Sequence, residues 1–364
     1  MITLTLAAAL ALASPAITPE TIAPPTPHAT TLPTPAQVMA LPQELQARLH
    51  AEVIAPSRSP QLRLDRLVRF MFDEEGLAMQ YRDDATYTVA EAYATGKANC
   101  LSFTLLFMAM AREARLDTYA QEIDETLTWH QEKNTVYRTN HINAGVRISG
   151  QRYTVDVARD SVIARRSPKP VPDERLLAHY YNNRAAELVA EGLIAAALDY
   201  TRASLELDPG YATSWSNAGV VHLRNGDRTA AERAYARALE LDPMHGGAMF
   251  NMVGLYQLTG ERKREQAFRH RLEAARLKDP FHQFLQALEY ERLGDYPRAI
   301  DHYQRAIRLH DDEHRFYFGL ARAYLHLGDA RRAGRALLRA HAASNAATRG
   351  VYQAKLDRLK REYR

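Results

Sequence analysis

The sequence predicts an α+β domain followed by an all-α solenoid of helical hairpins. In the second half of the chain a glycine recurs every 34 residues over five successive units, and a fixed period of this length predicts stacked copies of one small helical unit. In the first half, the apolar run 101–114 precedes two segments, 141–148 and 151–157, in which apolar residues alternate with others. A buried helix beside a strand pair predicts an α+β domain. The five glycines are Gly192, Gly226, Gly260, Gly294 and Gly328.

Length, charge and cysteine count limit what the chain can be. Its 364 residues suffice for two or three domains. The net charge of +4 is small for this length and argues against a nucleic-acid-binding protein. Cys100 is the only cysteine, which excludes an intramolecular disulfide and a metal site built from several thiolates. No cofactor or metal is predicted, because the cluster of His, Asp and Glu at residues 310–314 lies at a helix joint where capping accounts for it.

The N-terminal segment has the pattern of an export signal. Residues 2–13 are mostly apolar, and Ala11 and Ala13 stand in the A-x-A arrangement that suits signal peptidase. We therefore expect a signal peptide over residues 1–16 and a periplasmic or secreted protein. The run is shorter than the ~20 residues that a membrane span needs, so no membrane span is predicted. Because no Lys or Arg precedes the run, a different start site or an N-terminal tether stays open.

A linker separates this signal from the first folded domain. Residues 17–42 are rich in Pro, Thr and Ala without apolar periodicity, which predicts an extended segment. Folding is expected to begin near Gln43, in a domain that covers residues 43–170. Two helices come first, the second of them after Ser59-Pro60. Their apolar stripes are Leu45, Leu49 and Val53 in the first helix, and Leu62, Leu64, Leu67, Phe70 and Met71 in the second.

A candidate nucleophile stands at the head of the next helix. Residues 101–114 leave almost no polar face, so this helix is expected to be buried, and Gly96, Lys97 and Asn99 mark its start. Cys100 then lies in the first turn, where free backbone amides and the helix dipole stabilise negative charge. The thiolate is the nucleophilic form of cysteine. We therefore expect Cys100 to be a reactive thiol.

Three strands are predicted after this helix. The last two are joined by Ser149-Gly150, a two-residue connection typical of a tight hairpin. Such a turn places Ile148 opposite Gln151 and fixes the register of the whole pair. The predicted strands cover residues 118–123, 141–148 and 151–157.

The same register brings a histidine and an aspartate to one face. Counting back from the turn makes His141 and Asp156 diagonal neighbours, about 7 to 8 Å apart between backbones, which their side chains can bridge. The aspartate would then hold one imidazole nitrogen in its tautomer, while the other nitrogen could take the proton of Cys100. The polar segment 124–140 is expected to form a loop over this site.

A resemblance to the transglutaminase-like superfamily, which has a papain-like fold, is carried by the stretches GKANCLSFTLLFMAMAREARLD, NHINAGV and YTVDVA. It implies an α+β papain/transglutaminase-like domain in which Cys100 is the nucleophile, His141 the general base and acid, and Asp156 the residue that orients the histidine. The resemblance covers about residues 87–158. It departs at Asn143, where many relatives carry an aromatic residue.

The period of the second half resembles that of the tetratricopeptide family. The resemblance implies five units over residues 178–342, an all-α TPR solenoid that binds a protein or peptide partner, and a C-terminal capping helix over residues 343–364. Each recurring glycine is expected to end a first helix in the left-handed conformation. The third unit departs from the pattern, because Glu265 replaces a small residue and three residues are inserted, so looser packing is expected there. The second unit matches best, at Trp215, Ala218, Gly219, Ala231, Tyr235, Ala238 and Pro243.

Two functions stay open on these residues. The first is an exported, cysteine-dependent acyl transferase or hydrolase that acts on amides through a thioester on Cys100, with the repeats recruiting a protein partner or substrate. The second is a non-catalytic adaptor in which the repeats bind the partner and the cysteine domain is vestigial. From Gly328 onward ten Lys and Arg stand against three acids, so this end is either a solvated cap or a contact for an anionic envelope surface.

Overall fold

The computed structural model describes residues 32–82, 86–123, 129–132, 135–138, 141–155, 168–344 and 346–362. The chain from Pro33 onward forms one unit, in which helices and a small sheet precede a stack of helix pairs. Within the described ranges, no helix combines the length and the apolar character needed to cross a membrane.

The folded part of the chain begins earlier than Gln43, the start that the sequence predicts. Helix α1 (Pro35–Val38) opens with a capping box, and its last residue, Val38, is fully buried. The hydroxyl of Tyr181 donates a hydrogen bond of 2.6 Å to the carbonyl of Pro33. The predicted linker is therefore too long at its C-terminal end. A contact between residues 148 positions apart leaves no trace in local composition.

The two helices predicted next are present. Ser59 begins the second of them by accepting a 3.2 Å hydrogen bond from the backbone N–H of Leu62. Leu62 belongs to the predicted apolar stripe, but 39% of it is exposed. It lies one turn before Arg66 and two turns before Arg69, so it shares the polar helix face of these two arginines. The elements are α2 (Gln43–Leu49), a π-helical turn (His50–Ile54) and α3 (Pro60–Phe72).

A central buried helix follows, as predicted. Helix α5 (Cys100–Glu113) buries every residue from 101 to 111. It is preceded by two short strands that pair in parallel and by one helix that ends at Gly96, whose φ is 65°. These elements are β1 (Gln80–Tyr81), α4 (Val89–Thr95) and β2 (Lys97–Ala98).

The sheet behind α5 is antiparallel, with strand order β7-β6-β3-β8. Ser149 and Gly150 form the turn between β6 and β7 with φ values of 51° and 80°, and Ile148 pairs with Gln151, so the predicted register is confirmed. The expected loop 124–140 instead holds a short hairpin, β4 with β5. The strands are β3 (Asp117–Ile123), β4 (Trp129–Glu132), β5 (Thr135–Arg138), β6 (His141–Ile148), β7 (Gln151–Val155) and β8 (Lys169–Val171).

Five helix pairs and a final helix make up the described residues from Asp173 onward. The five glycines that recur every 34 residues end the first helix of each pair with φ between 75° and 84°, as predicted. The pairs are α6 (Asp173–Ala190) with α7 (Ile194–Leu207), α8 (Ala212–Arg224) with α9 (Arg228–Leu241), α10 (Gly246–Thr259) with α11 (Arg262–Leu277), α12 (Pro280–Arg292) with α13 (Tyr296–Leu309), and α14 (His314–His326) with α15 (Ala330–Ala343); the final helix is α16 (Ala346–Glu362).

The stack has an inner and an outer side. First helices of neighbouring pairs pack directly on one another at three junctions, α6 on α8, α8 on α10 and α12 on α14. Second helices pack on the first helix of their own pair and of the following pair. Because spacing is smaller on the concave side of a curved stack, the first helices form the inner face and the second helices the outer face. The strand β5 lies against α8 and α10, on the inner face.

The third pair packs loosely, as predicted. Helix α11 buries only Leu272 and Ala275 among its described residues. Instead of an alanine, Glu265 faces its neighbours, and it accepts hydrogen bonds from Gln257 at 3.0 Å and from Arg269 at 2.5 Å. The apolar core is divided at this place, because the cluster of α8 to α11 is separate from that of α12 to α16.

A buried polar network fixes the sheet to the first helix pair. Glu122 at the end of β3 is 5% exposed, and its carboxylate accepts a 3.2 Å hydrogen bond from Arg175 and lies 3.2 Å from Nε2 of His179. Arg175 also pairs with Asp208, and its guanidinium stacks 4.4 Å from the ring centre of Tyr211. The phenol of Tyr211 lies 3.0 Å from Nδ1 of His179. Cysteine domain and solenoid are therefore held as one body.

Candidate functional site

Cys100 is the first residue of α5, as the sequence predicts. The residue before it, Asn99, is the N-cap, and its side-chain oxygen accepts a 2.8 Å hydrogen bond from the backbone N–H of Ser102. The thiol is partly exposed. Cys100 thus lies in the first turn, beside backbone N–H groups that have no partner within the helix.

The cap of α5 is held from outside the helix. The amide nitrogen of Asn99 donates a 2.9 Å hydrogen bond to the hydroxyl of Thr86, a side chain that is 1% exposed. The hydroxyl of Ser102 in turn accepts a 2.7 Å hydrogen bond from the backbone N–H of Tyr87. The segment 86–87 therefore fixes the first turn of α5, and with it the position of Cys100.

The same segment is anchored to the solenoid. The backbone N–H of Thr86 donates a 2.9 Å hydrogen bond to the carboxylate of Glu187 on α6. Burial raises the pKa of Glu187, and the ion pair with Arg184 opposes that rise. Three hydrogen bonds thus connect the first helix of the stack to the start of the cysteine helix. No local sequence pattern points to Thr86 or Glu187. Only Asn99 carries such a signal, that of an N-cap residue before an apolar run.

The helix touches the strand that carries the predicted base. The hydroxyl of Thr104, one turn after Cys100, lies 2.8 Å from the carbonyl oxygen of Cys100 and 3.2 Å from that of Ile142. Residue 141 is the first of β6 and pairs with Ile123. The backbone of the strand beside His141 is therefore within one helical turn of Cys100.

The remaining parts of the predicted triad lie outside the described residues. This applies to Asp156 as a whole and to the side chain of His141. The described part of the structure does not test whether the thiol, the imidazole and the carboxylate meet, so the triad stays a prediction.

Polar side chains fill the sheet face next to residue 141. Asn143 is 2% exposed and pairs across the sheet with Gln121. The side chain of Gln121 accepts a 3.4 Å hydrogen bond from Thr154 and donates one of 3.3 Å to Tyr119. An aromatic side chain at position 143 would replace an amide within this buried polar strip.

Residues 310–314 act as a helix joint. Glu313 is the N-cap of α14 and accepts a 2.9 Å hydrogen bond from the backbone N–H of Arg315. Nδ1 of His314 lies 2.7 Å from the hydroxyl of Tyr352 on α16. Across the described parts of the chain, no group of three or more His, Cys, Asp or Glu side chains is placed to hold a metal ion.

Comparison with known proteins identifies the helix pairs. The tetratricopeptide repeat family matches residues 212–245, which are the second pair, and residues 284–347, which run from α12 into the start of α16. These helix pairs are tetratricopeptide repeats. Small residues stand where the tetratricopeptide pattern needs close helix contact, and a side chain added to Gly219 would meet the ring of Tyr235 at 2.3 Å.

Relatives of known name share part of this chain. Photosystem I assembly protein Ycf3 of Cyanophora paradoxa is 37% identical over 101 residues, which are 27% of this chain and 57% of that protein. The Hsp70-Hsp90 organizing protein of Triticum aestivum is 37% identical over 67 residues, 18% of this chain and 12% of that protein. The chain thus spans less than two thirds of either relative.

Matches to solved structures cover about half of the chain. The match to YrrB, described as a TPR protein with an unusual peptide-binding site, has a TM-score of 0.26 at 18% identity and covers 49% of this chain and 92% of that one. The match to MamA has a TM-score of 0.26 at 17% identity and covers 46% of this chain and 91% of that one.

Proposed function

We propose that this chain is an adaptor whose tetratricopeptide repeats bind a protein or peptide partner, with the cysteine domain fixed to the first repeat as a second module. The observation that carries the proposal is the continuous stack of five helix pairs, because stacked repeats present an extended concave binding surface. Two relatives support it by name, since one is an assembly protein and the other an organizing protein.

The inner face of the last two repeats is where we place the partner. Strand β5 lies against the first helices of the second and third repeats, α8 and α10. On α12, the first helix of the fourth repeat, Leu285 has 43% of its surface exposed. An apolar side chain exposed on a first helix offers an anchor for a peptide. Leu277 on α11, an outer helix, is 62% exposed and provides a matched comparison.

Peptide display on the purified chain tests the adaptor proposal. Peptides selected on the wild type should bind Leu285→Glu at least about tenfold more weakly, because a carboxylate replaces an apolar anchor. They should bind Leu277→Glu and Cys100→Ala as they bind the wild type. Failure to select any peptide, or equal loss in both leucine variants, would contradict the proposal.

A second function, cysteine-dependent acyl transfer, is favoured by one observation: Cys100 heads a capped helix whose next turn contacts the strand beside His141. In this proposal the sulfur attacks an amide carbon, a thioester forms, and the amine leaves with a proton from His141. Asp156 orients the imidazole, and water or a second amine then cleaves the thioester.

The single cysteine makes this second function directly testable. Iodoacetamide modifies one thiol only, and Cys100→Ser supplies the blank. If His141 is the base, the His141→Ala variant should be alkylated at least about tenfold more slowly at neutral pH, because less thiolate is present. Equal alkylation rates in the wild type and in His141→Ala would rule out a catalytic pair of Cys100 and His141. A thioester trapped on Cys100 would favour the enzyme, whereas peptide binding without any adduct would favour the adaptor.

We also propose export of the chain, supported by the apolar run and the small residues of segment 1–16. Mass spectrometry of the purified protein tests it. A mature N-terminus between residues 14 and 17 is expected after cleavage, and an intact Met1 in the exported protein would contradict the proposal.

A further inference from the structure

Charge is distributed unevenly along the chain. Residues 262–364 carry 23 Lys and Arg against 13 Asp and Glu, whereas the preceding 261 residues carry 24 against 30. The small net charge of the whole chain therefore conceals a strongly basic C-terminal part. The excess begins at the outer helix of the third repeat and runs to the last helix.

The basic residues are concentrated on the outer helices. Helix α15 carries four arginines and no acidic residue, and α11 carries six Lys and Arg against two Glu. The outer helix of the second repeat, α9, carries three arginines against two Glu. The outer surface of α11, α13 and α15, here called the basic outer face, is thus distinct from the outer surface of the earlier repeats.

One side of α15 shows the pattern most clearly. Arg331, Arg335 and Arg339 are exposed and follow one another at four-residue spacing, so they project from one helix face over about 12 Å. They form no ion pair with any carboxylate in the described part of the chain. Leu338, which is 56% exposed, lies on the same face. This face combines positive charge with an apolar side chain.

We propose that the basic outer face binds the surface of an anionic lipid bilayer. A bilayer supplies spread negative charge that matches arginines distributed over several parallel helices, and its interface accepts an exposed leucine between them. On α13, Arg305 and Arg308 are exposed and outnumber the one exposed acid of that helix, Asp301. Because this face is opposite the inner face, the chain can lie on a membrane while its repeats stay accessible to a partner.

Vesicle co-sedimentation of the full chain tests the proposal. Vesicles of phosphatidylcholine mixed with phosphatidylglycerol should bind the wild type, and vesicles of phosphatidylcholine alone should not. The triple variant Arg331→Glu, Arg335→Glu, Arg339→Glu should bind the anionic vesicles about a hundredfold or more weakly, because each basic residue near such a surface contributes separately. Raising the salt concentration should weaken the binding of the wild type.

Helix α9 offers a control with the same change of charge. Arg228, Arg233 and Arg237 are exposed on α9, and replacing all three with Glu should change vesicle binding by no more than about threefold. Equal loss in both triple variants, or wild-type binding that does not depend on phosphatidylglycerol or on salt, overturns the proposal. Binding of soluble polyglutamate without binding of anionic vesicles also overturns it, in favour of an acidic protein partner. Circular dichroism confirms that each variant is folded.

Discussion

The side-chain nitrogen of Asn99 donates a 2.9 Å hydrogen bond to the hydroxyl of Thr86, and the oxygen of the same amide caps helix α5. Both polar ends of one buried side chain are therefore used to fix the helix start. Because Thr86 is itself bonded to Glu187, the position of Cys100 depends on the first helix of the tetratricopeptide stack. The start of the cysteine helix is thus linked to the first repeat by hydrogen bonds, whether or not the cysteine performs chemistry.

Loss of this cap should affect both stability and the thiol. We expect Asn99→Ala to lower the free energy of unfolding by about 1–2 kcal/mol, because one capping hydrogen bond is lost and Thr86 loses its donor. The alkylation rate of Cys100 should change as well, because a frayed first turn no longer holds the thiol in place. Urea denaturation and the iodoacetamide rate measure the two effects.

The N-cap of α15 supplies the control for this experiment. Asp329 accepts a 2.8 Å hydrogen bond from the backbone N–H of Arg332, so Asp329→Ala removes a comparable cap. This variant should lower the free energy of unfolding by about 1 kcal/mol and leave the alkylation rate of Cys100 unchanged. If both variants alter alkylation equally, Asn99 has no special relation to Cys100.

The Glu122 network should contribute strongly to stability. Replacing Glu122 with Ala leaves the half-buried Arg175 and the buried His179 without their shared carboxylate, although Arg175 keeps Asp208. Removing one partner of a buried ion pair costs roughly 3–5 kcal/mol, and we expect a loss of free energy of unfolding near the lower end of that range. Asp199→Ala breaks an exposed pair with Arg202 and should cost less than about 1 kcal/mol. Urea denaturation compares the two variants, and a small loss for Glu122→Ala would show that the network is not tightly packed.

Acidification should destabilise the fourth repeat. Burial, aided by nearby Arg276, lowers the pKa of His282, and burial with Arg305 lowers that of His302. Both histidines bind protons more weakly in the folded state than in the unfolded state, where the usual pKa is 6.5. The unfolded state therefore gains protons as the pH falls below about 6.5, and stability is lost between that pH and the lower folded-state pKa.

Thermal unfolding at several pH values measures this effect. The variant His282→Gln, His302→Gln should lose less stability than the wild type between about pH 7.5 and pH 5, a range that includes the pKa window. The exposed His270 on α11 is the control, and His270→Gln should follow the wild type. An identical pH dependence for the double variant would contradict the prediction.

Close packing at Gly219 should make any larger residue at this position destabilising. A Cβ atom there would stand 2.3 Å from the ring of Tyr235, and this ring is buried with little room to move. Gly219→Ala should therefore destabilise the chain by about 1–3 kcal/mol. By contrast, a Cβ atom added at Gly350 would have no neighbour within 4 Å, and Gly350→Ala should stabilise α16 by up to about 1 kcal/mol. Urea denaturation measures both changes, and equal effects would contradict this difference.

Much of the fold could be predicted because the signals are local. The 34-residue spacing of the glycines indicated the helix pairs, since each glycine adopts the left-handed conformation that ends a first helix. The turn Ser149-Gly150 indicated the register of β6 with β7, because both residues adopt the positive φ that such a turn requires. Cys100 was placed at the start of its helix by the polar residues before an apolar run.

The sequence by itself determined the helix pairs and their repeat family, the register of β6 with β7 and the position of the single thiol at a helix start, because each of these signals is carried by a short stretch of the chain. Only the tertiary structure decided that Pro33 is bonded to Tyr181, that Glu122 is buried and that Glu187 supports the cap of the cysteine helix. In each of these cases the partner lies tens of residues away or more, and only packing selects which polar group is enclosed.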